Sequence, residues 1–209
     1  MDFQTARKAM VDSQVRVNDV TDRSLQAALM AVPRETLCAP ERAFSAYAEV
    51  EVPVTATRRL MLPRDLSKLL MAATPREGER ALVMVGTYAA AVLGQMGLEV
   101  TVQDSDGDAL AIAAATLTAI GVTAVEAPLD RPHAEGWDLI VSEAAVPVRP
   151  DAWLDALKVG GRAVLVERNG PVGKAVLHVR TADGFSRRQL FDATPPVLDE
   201  LRPEPAFSL

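Results

Sequence analysis

Residues able to do chemistry stand at the ends of apolar runs in this sequence. "ALVMVGTYAAAVLG" (81–94) carries five buried-type residues to a single glycine, Gly86, and then enters helix-forming sequence at Thr87 and Tyr88. A strand, a tight turn and a helix N-terminus form an arrangement that brings backbone N–H groups close to a bound cofactor. A second run, "EVTVQD", ends in Gln103-Asp104. An amide or carboxylate there can hold a sugar hydroxyl, or it can belong to a solvated acidic loop that caps the next helix. Ser142 and Glu143 end the run "WDLIVSEA", and Leu129-Asp130 follows "VTAVEAP". Arg58 and Arg59 offer charge for a carboxylate, although surface solvation is the simpler account of both. No nucleophile–base pair stands out, so no catalytic residue is assigned. His133, His178 and Cys38 are too scattered to argue for a metal site. Cys38 reads as a buried small residue, and Trp137 and Trp153 as packing residues.

The positioning elements follow from periodicity. "FQTARKAMVDSQV" and "TDRSLQAALMAV" space apolar residues on helical faces, with Thr21 or Asp22 as N-cap of the second and Pro33 closing it. "RAFSAYAEVEVPVTATRRLMLP" has no helical period and reads as an extended surface segment. "PRDLSKLLMAA" is a helix with Pro63 near its start. From residue 78 strands and helices alternate: strands at "RALVMV", "EVTVQD", "VTAVEAP", "WDLIVSEA" and "RAVLVER", with helices at "TYAAAVLGQMG", "GDALAIAAATLTAIG" and "DAWLDALKVGG" between them. Asp183-Gly184 marks a hairpin in "KAVLHVRTADGFSRRQLF". Repeated βα units require a mostly parallel sheet covered by helices, here with an antiparallel C-terminal hairpin. The expectation is one domain over 1–209, with a helical and extended segment at 1–75 and an α/β core at 76–209. The Pro-rich tail "PPVLDELRPEPAFSL" is expected to drape over the surface.

Composition narrows the partners. The 209 residues are 49% hydrophobic and 24% charged, with a net charge of −6. An acidic chain lacks the clustered cations that nonspecific nucleic-acid binding uses. No apolar run approaches the roughly 20 residues that span a bilayer, and the N-terminus shows no secretory h-region. One cysteine excludes an internal disulfide and agrees with a reducing compartment. A cytoplasmic protein without membrane or nucleic-acid partners is expected.

Taken together, "MVDSQVRVNDVTD", "AVPRE", "AYAEVEVP", "LP" before "LSKLL", "YAAAVLG", "WDLIVSEAAV", "LKVGGRAVLV" and "LFDATPPVL" resemble, in order and spacing, the protein-L-isoaspartate O-methyltransferase family over nearly the whole chain. The resemblance implies a Rossmann-like class I methyltransferase fold with an N-terminal helical extension. It also implies S-adenosylmethionine as cofactor and an isoaspartyl carboxylate of a protein as substrate. Carried over by position, the cofactor-binding candidates are Gly86, Thr87, Tyr88, Gln103, Asp104, Asp130, Ser142 and Glu143. Arg59 and Met61 stand where the family meets its substrate. Glu49 and Glu51 match acidic positions near that loop and are expected to be exposed.

The departures from the family pattern all fall at the site. The acidic residue that ends the family's first core strand corresponds here to Val83 or Met84. Its glycine-rich loop is reduced to Gly86, about two residues shorter. The Thr-Ile-Ser segment is represented by Arg59-Leu60-Met61, which removes both hydroxyls. Two functions stay open on this basis. One is a protein-L-isoaspartate O-methyltransferase-like protein with a degenerate cofactor site and weak or lost methyl transfer. The other is a noncatalytic scaffold that keeps the fold to bind a protein partner or a second copy of itself as a homodimer.

Overall fold

The computed structural model describes residues 2–202. Its centre is a seven-stranded sheet in the order β5-β4-β3-β6-β7-β8-β9. The strands are β3 (Arg80–Met84), β4 (Glu99–Asp104), β5 (Thr123–Glu126), β6 (Trp137–Val146), β7 (Leu157–Glu167), β8 (Gly173–Thr181) and β9 (Gly184–Ala193). β3 pairs in parallel with both β4 and β6, and β8 and β9 add an antiparallel hairpin beyond β7. The chain runs outward from β3 through β4 and β5, then returns to β6 on the other side. That reversal opens a crevice at the carboxyl ends of β3 and β6, where open α/β sheets place their ligands.

The α/β fold with its antiparallel hairpin is as expected, and so is the N-terminal helical extension: α1 (Phe3–Met10), continued by a π turn over Val11–Val15, and α2 (Arg23–Ala31), capped by Asp22. α3 (Pro63–Ala73) starts at Pro63. Between α2 and α3 the expected extended segment holds a 3-10 turn (Pro40–Ser45) and a two-stranded hairpin, β1 (Val52–Pro53) with β2 (Arg59–Leu60). α4 (Thr87–Gln95) is buried on every side from Thr87 to Leu93, because the N-terminal helices cover the face turned away from the sheet. Its alanines therefore let helices approach closely and do not mark a surface. α5 (Gly107–Ile120) ends at Gly121 in the left-handed conformation.

Two expectations change. The helix after Pro150 is only α6 (Asp151–Asp155), and β7 begins at Leu157 with Gly160-Gly161 inside it. A Cβ on Gly161 would sit 2.8 Å from both the Lys158 and Trp137 carbonyl oxygens, so the glycine pair makes a bulge against β6 and no open turn. The tail is also more than a surface drape. Ala145 donates to the Pro196 carbonyl, Leu198 donates to the Ala145 carbonyl, and Leu198 is buried. Residues 203–209 of the tail lie outside the described residues. Cys38, Trp137 and Trp153 are buried as expected, Glu49 is exposed and Glu51 half-buried. Among the described residues, no helix is long and apolar enough to cross a membrane.

Candidate functional site

The crevice is built on a strained turn. Val85 has φ +63°, a left-handed conformation that a β-branched residue adopts at a cost of about 1–3 kcal/mol. Its position is held from both sides, since its N–H donates to the Gln103 carbonyl and its own carbonyl accepts from Glu143 N–H, each at 3.0 Å. One residue thus links the ends of β4, β3 and β6. Gly86 follows with φ +137° and precedes the first residue of α4.

Glu143 fills the space in front of that turn. Its side chain is buried, with Oε1 accepting from Ala89 N–H at 2.6 Å and Oε2 from Met61 N–H at 3.1 Å. The Tyr88 N–H lies close by and favours the charged carboxylate. A Cβ on Gly86 would lie 2.6 Å from Glu143 Cγ. The glycine therefore makes room for a side chain of the protein itself. Burial pushes the Glu143 carboxyl above its ordinary value, opposed by the nearby Arg34 charge and these N–H donors. Gly86→Ala combines a clash against Glu143 with an unfavourable φ, and we expect it to cost about 2–5 kcal/mol in urea unfolding. A loss under 1 kcal/mol would mean that Glu143 moves aside freely.

Arg34 completes this pole. It is buried, donates from Nε to the Ala46 carbonyl (2.7 Å) and from Nη2 to the Met61 carbonyl (2.6 Å), and stacks 4.5 Å from the centre of the Tyr88 ring. Among the described residues, Arg34 Nη1 and Tyr88 Oη have no partner. Burial lowers the Arg34 pKa, and the Tyr88 hydroxyl is raised above its usual range for the same reason.

The second pole lies at the end of β4. Asp104 is 1% exposed, which overturns its reading as part of a solvated loop. Arg58 donates from Nε to Asp104 Oδ1 at 2.8 Å, and Asp106 N–H donates to the same oxygen at 3.0 Å. Arg58 Nη2 also reaches Ser105 Oγ (2.9 Å) and Glu200 Oε1 (2.8 Å). The β1–β2 loop is pinned alongside, because the Thr55 and Thr57 hydroxyls donate to Asp106 at 2.7 and 2.5 Å. Burial raises the Asp104 carboxyl, and the Arg58 hydrogen bond opposes that. Gln103 points elsewhere: its Nε2 donates to the Pro128 (2.6 Å) and Arg131 (2.9 Å) carbonyls, and its Oε1 accepts from His133 N–H (2.8 Å).

The structure thus gathers Gly86, Thr87, Tyr88, Glu143 and the Met61 backbone at one pole and places Asp104 at the other. Ser142 is buried and satisfied locally, exchanging hydrogen bonds with the Ala144 carbonyl and N–H. Asp130 is exposed and lines a groove of about 500 Å³ with Ser105, Glu126 and Glu200, next to the Arg58–Asp104 pole. Arg59 is exposed, whereas the Met61 side chain is buried. Sequence reasoning missed Arg34 and Glu200; Arg58, weighed there as a carboxylate partner against surface solvation, is buried on the carboxylate of Asp104. Arg34 was within reach, since it sits in "AVPRE"; nothing local marks Glu200 as a partner for a residue 142 positions away.

No protein-family model matches the chain. Its sequence is 32% identical over 202 residues to the protein-L-isoaspartate O-methyltransferase of Methylorubrum extorquens (strain PA1), covering 93% of this chain and 87% of that one. The protein of the same name from Methylorubrum populi is 33% identical over 198 residues, covering 91% and 92%. Among solved structures, a Plasmodium falciparum protein-L-isoaspartate O-methyltransferase in complex with S-adenosyl-L-homocysteine superposes with a TM-score of 0.80 at 13% identity, covering 93% of this chain and 98% of that one.

Proposed function

The chain belongs to the protein-L-isoaspartate O-methyltransferase family, and from that premise we propose that it is a family member whose cofactor crevice is closed by its own side chains, with methyl transfer to protein carboxylates weak or lost. The observation that carries this is Glu143. Its carboxylate already takes the N–H groups at the start of α4, where a cofactor bound in this crevice would find its donors. On this reading the residues present do not fit S-adenosylmethionine. One pole of the crevice is filled by a buried carboxylate, and the carboxylate at the other is neutralised by Arg58. Exchanging Glu143 for a ligand would require pulling its buried side chain off the N–H donors that hold it.

Titration with S-adenosylmethionine and S-adenosylhomocysteine tests the proposal. A ligand at 100 times its Kd stabilises a native protein by about 2.7 kcal/mol, which a thermal melt registers easily. We expect no shift and no binding heat at millimolar ligand. Micromolar binding, or turnover of an isoaspartyl peptide, would overturn the proposal and return the chain to methyl transfer.

A further inference from the structure

Three Asx-Gly pairs occur in the sequence: Asp106-Gly107, Asn169-Gly170 and Asp183-Gly184. Such pairs can cyclise, because a glycine N–H without a neighbouring Cβ can approach the preceding side-chain carbonyl carbon. Two of the three are locked. The Asp106 carboxylate is held by the Thr55 and Thr57 hydroxyls and by Ala109 N–H, and Gly107 is the first residue of α5. Gly184 pairs with Thr181 at the closing rung of the β8–β9 ladder, and an aspartate is in any case the poorer electrophile. Asn169-Gly170 differs. It lies in the exposed loop between β7 and β8, Gly170 has φ +147° with nothing within 4 Å of a Cβ position, and among the described residues neither its N–H nor the Asn169 amide is hydrogen-bonded. The other asparagine, Asn18, donates to the Gln14 carbonyl and precedes an aspartate.

We propose that Asn169-Gly170 is a self-modification site whose conversion to aspartyl and isoaspartyl linkages loosens the C-terminal strap of the protein. The Gly170 amide nitrogen attacks Asn169 Cγ, a new N–Cγ bond forms, and Cγ–Nδ2 breaks. The proton lost by the amide leaves with the amine as ammonia. Water then opens the succinimide. Breaking the N–Cγ bond gives an ordinary aspartyl linkage at position 169. Breaking the bond to the main-chain carbonyl gives isoaspartate, with the backbone running through Cβ and Cγ. The step needs only water and is independent of whether the crevice binds a cofactor.

The adjacent Arg168 connects this chemistry to the site. It donates from Nε to the Gly170 carbonyl (3.0 Å) and from Nη1 to the carbonyls of Thr194 and Pro195 (2.8 Å each). The segment it anchors goes on to bond Ala145 through Pro196 and Leu198, and it brings Glu200 to Arg58. A new carboxylate at position 169 competes for that guanidinium, and the extra backbone methylene of the isoaspartyl form displaces the Gly170 carbonyl it holds.

The test is ageing of the full chain at 37 °C in mildly alkaline and in mildly acidic buffer. Tryptic cleavage at Arg168 and Lys174 releases the reporting peptide 169–174. We expect it to exchange an amide for a carboxyl as two separable isomers, faster in alkaline buffer, and we expect Asn169→Gln to be inert. Hydrogen exchange at Leu198 should then be several-fold faster in aged wild type than in fresh protein, with no change in aged Asn169→Gln. An Asn169 that stays intact while the synthetic peptide 169–174 converts would overturn the site. Full conversion with unchanged exchange at Leu198 would overturn its coupling to the strap.

Discussion

Glu143→Ala is expected to lower folding stability by about 3–5 kcal/mol, the usual cost of removing one partner from a buried charged cluster. Two terms combine. Arg34 stays buried with its charge and loses its carboxylate neighbour. The N–H groups of Met61 and Ala89 lose their acceptors in a region closed to solvent. Glu143→Gln keeps the shape but turns an NH₂ toward one of those donors, so a smaller loss of about 1–3 kcal/mol is expected. Urea denaturation of the three proteins measures both values. If alanine costs less than 1 kcal/mol, Glu143 is a passive filler and the closure of the crevice has no energetic basis.

The second large effect concerns Arg58→Leu, and its diagnostic is pH. In the wild type, burial holds the Asp104 carboxyl above its ordinary value, and the Arg58 hydrogen bond limits the rise. Leucine removes that limit, so the folded-state value climbs further above the unfolded one. A group raised in this way contributes stability that is fully present below the unfolded pKa and is lost as pH rises through the folded pKa. The deficit relative to wild type should therefore be smallest in acid below the unfolded-state pKa, where the carboxyl is protonated in both states, and should grow to about 3–5 kcal/mol at neutral pH. The arm to Glu200 is partly exposed and adds at most about 1 kcal/mol. Stability curves at several pH values decide the matter. A deficit of the same size at neutral pH and in acid below the unfolded-state pKa would show that Arg58 acts through packing and not through Asp104.

The turn at Gly86, the carboxylate of Glu143 and the buried Arg34 form one unit, because Glu143 needs the missing Cβ at Gly86 and the N–H groups of α4. Changing one member alone leaves a clash or an unpaired charge.

Much of the architecture was legible from pattern alone. β4 falls on "EVTVQD" and α3 on "PRDLSKLLMAA", because short apolar alternation, a proline at the first helical position and glycines just past helix ends report local backbone preferences. The helix after Pro150 was overestimated, since its helical spacing does not reveal that Leu157 pairs with Trp137. The site was legible only as positions. Gly86, Asp104 and Glu143 were all singled out, yet what faces each of them was not, because Glu143 meets residues 54 and 82 positions away and Arg58 meets residues 46 and 142 positions away.

The sequence by itself determined the order of elements, the parallel sheet, the family and the strand ends at which a site must lie, since these rest on local periodicity and on spacing along the chain. Only the tertiary structure decided that Glu143 turns inward onto the start of α4, that Asp104 is buried against Arg58, and that Gly86 makes room for a side chain. Those outcomes depend on which distant groups share a low-dielectric interior. There an unpaired charge or N–H is costly enough to dictate the partner, and no local pattern in the chain records that choice.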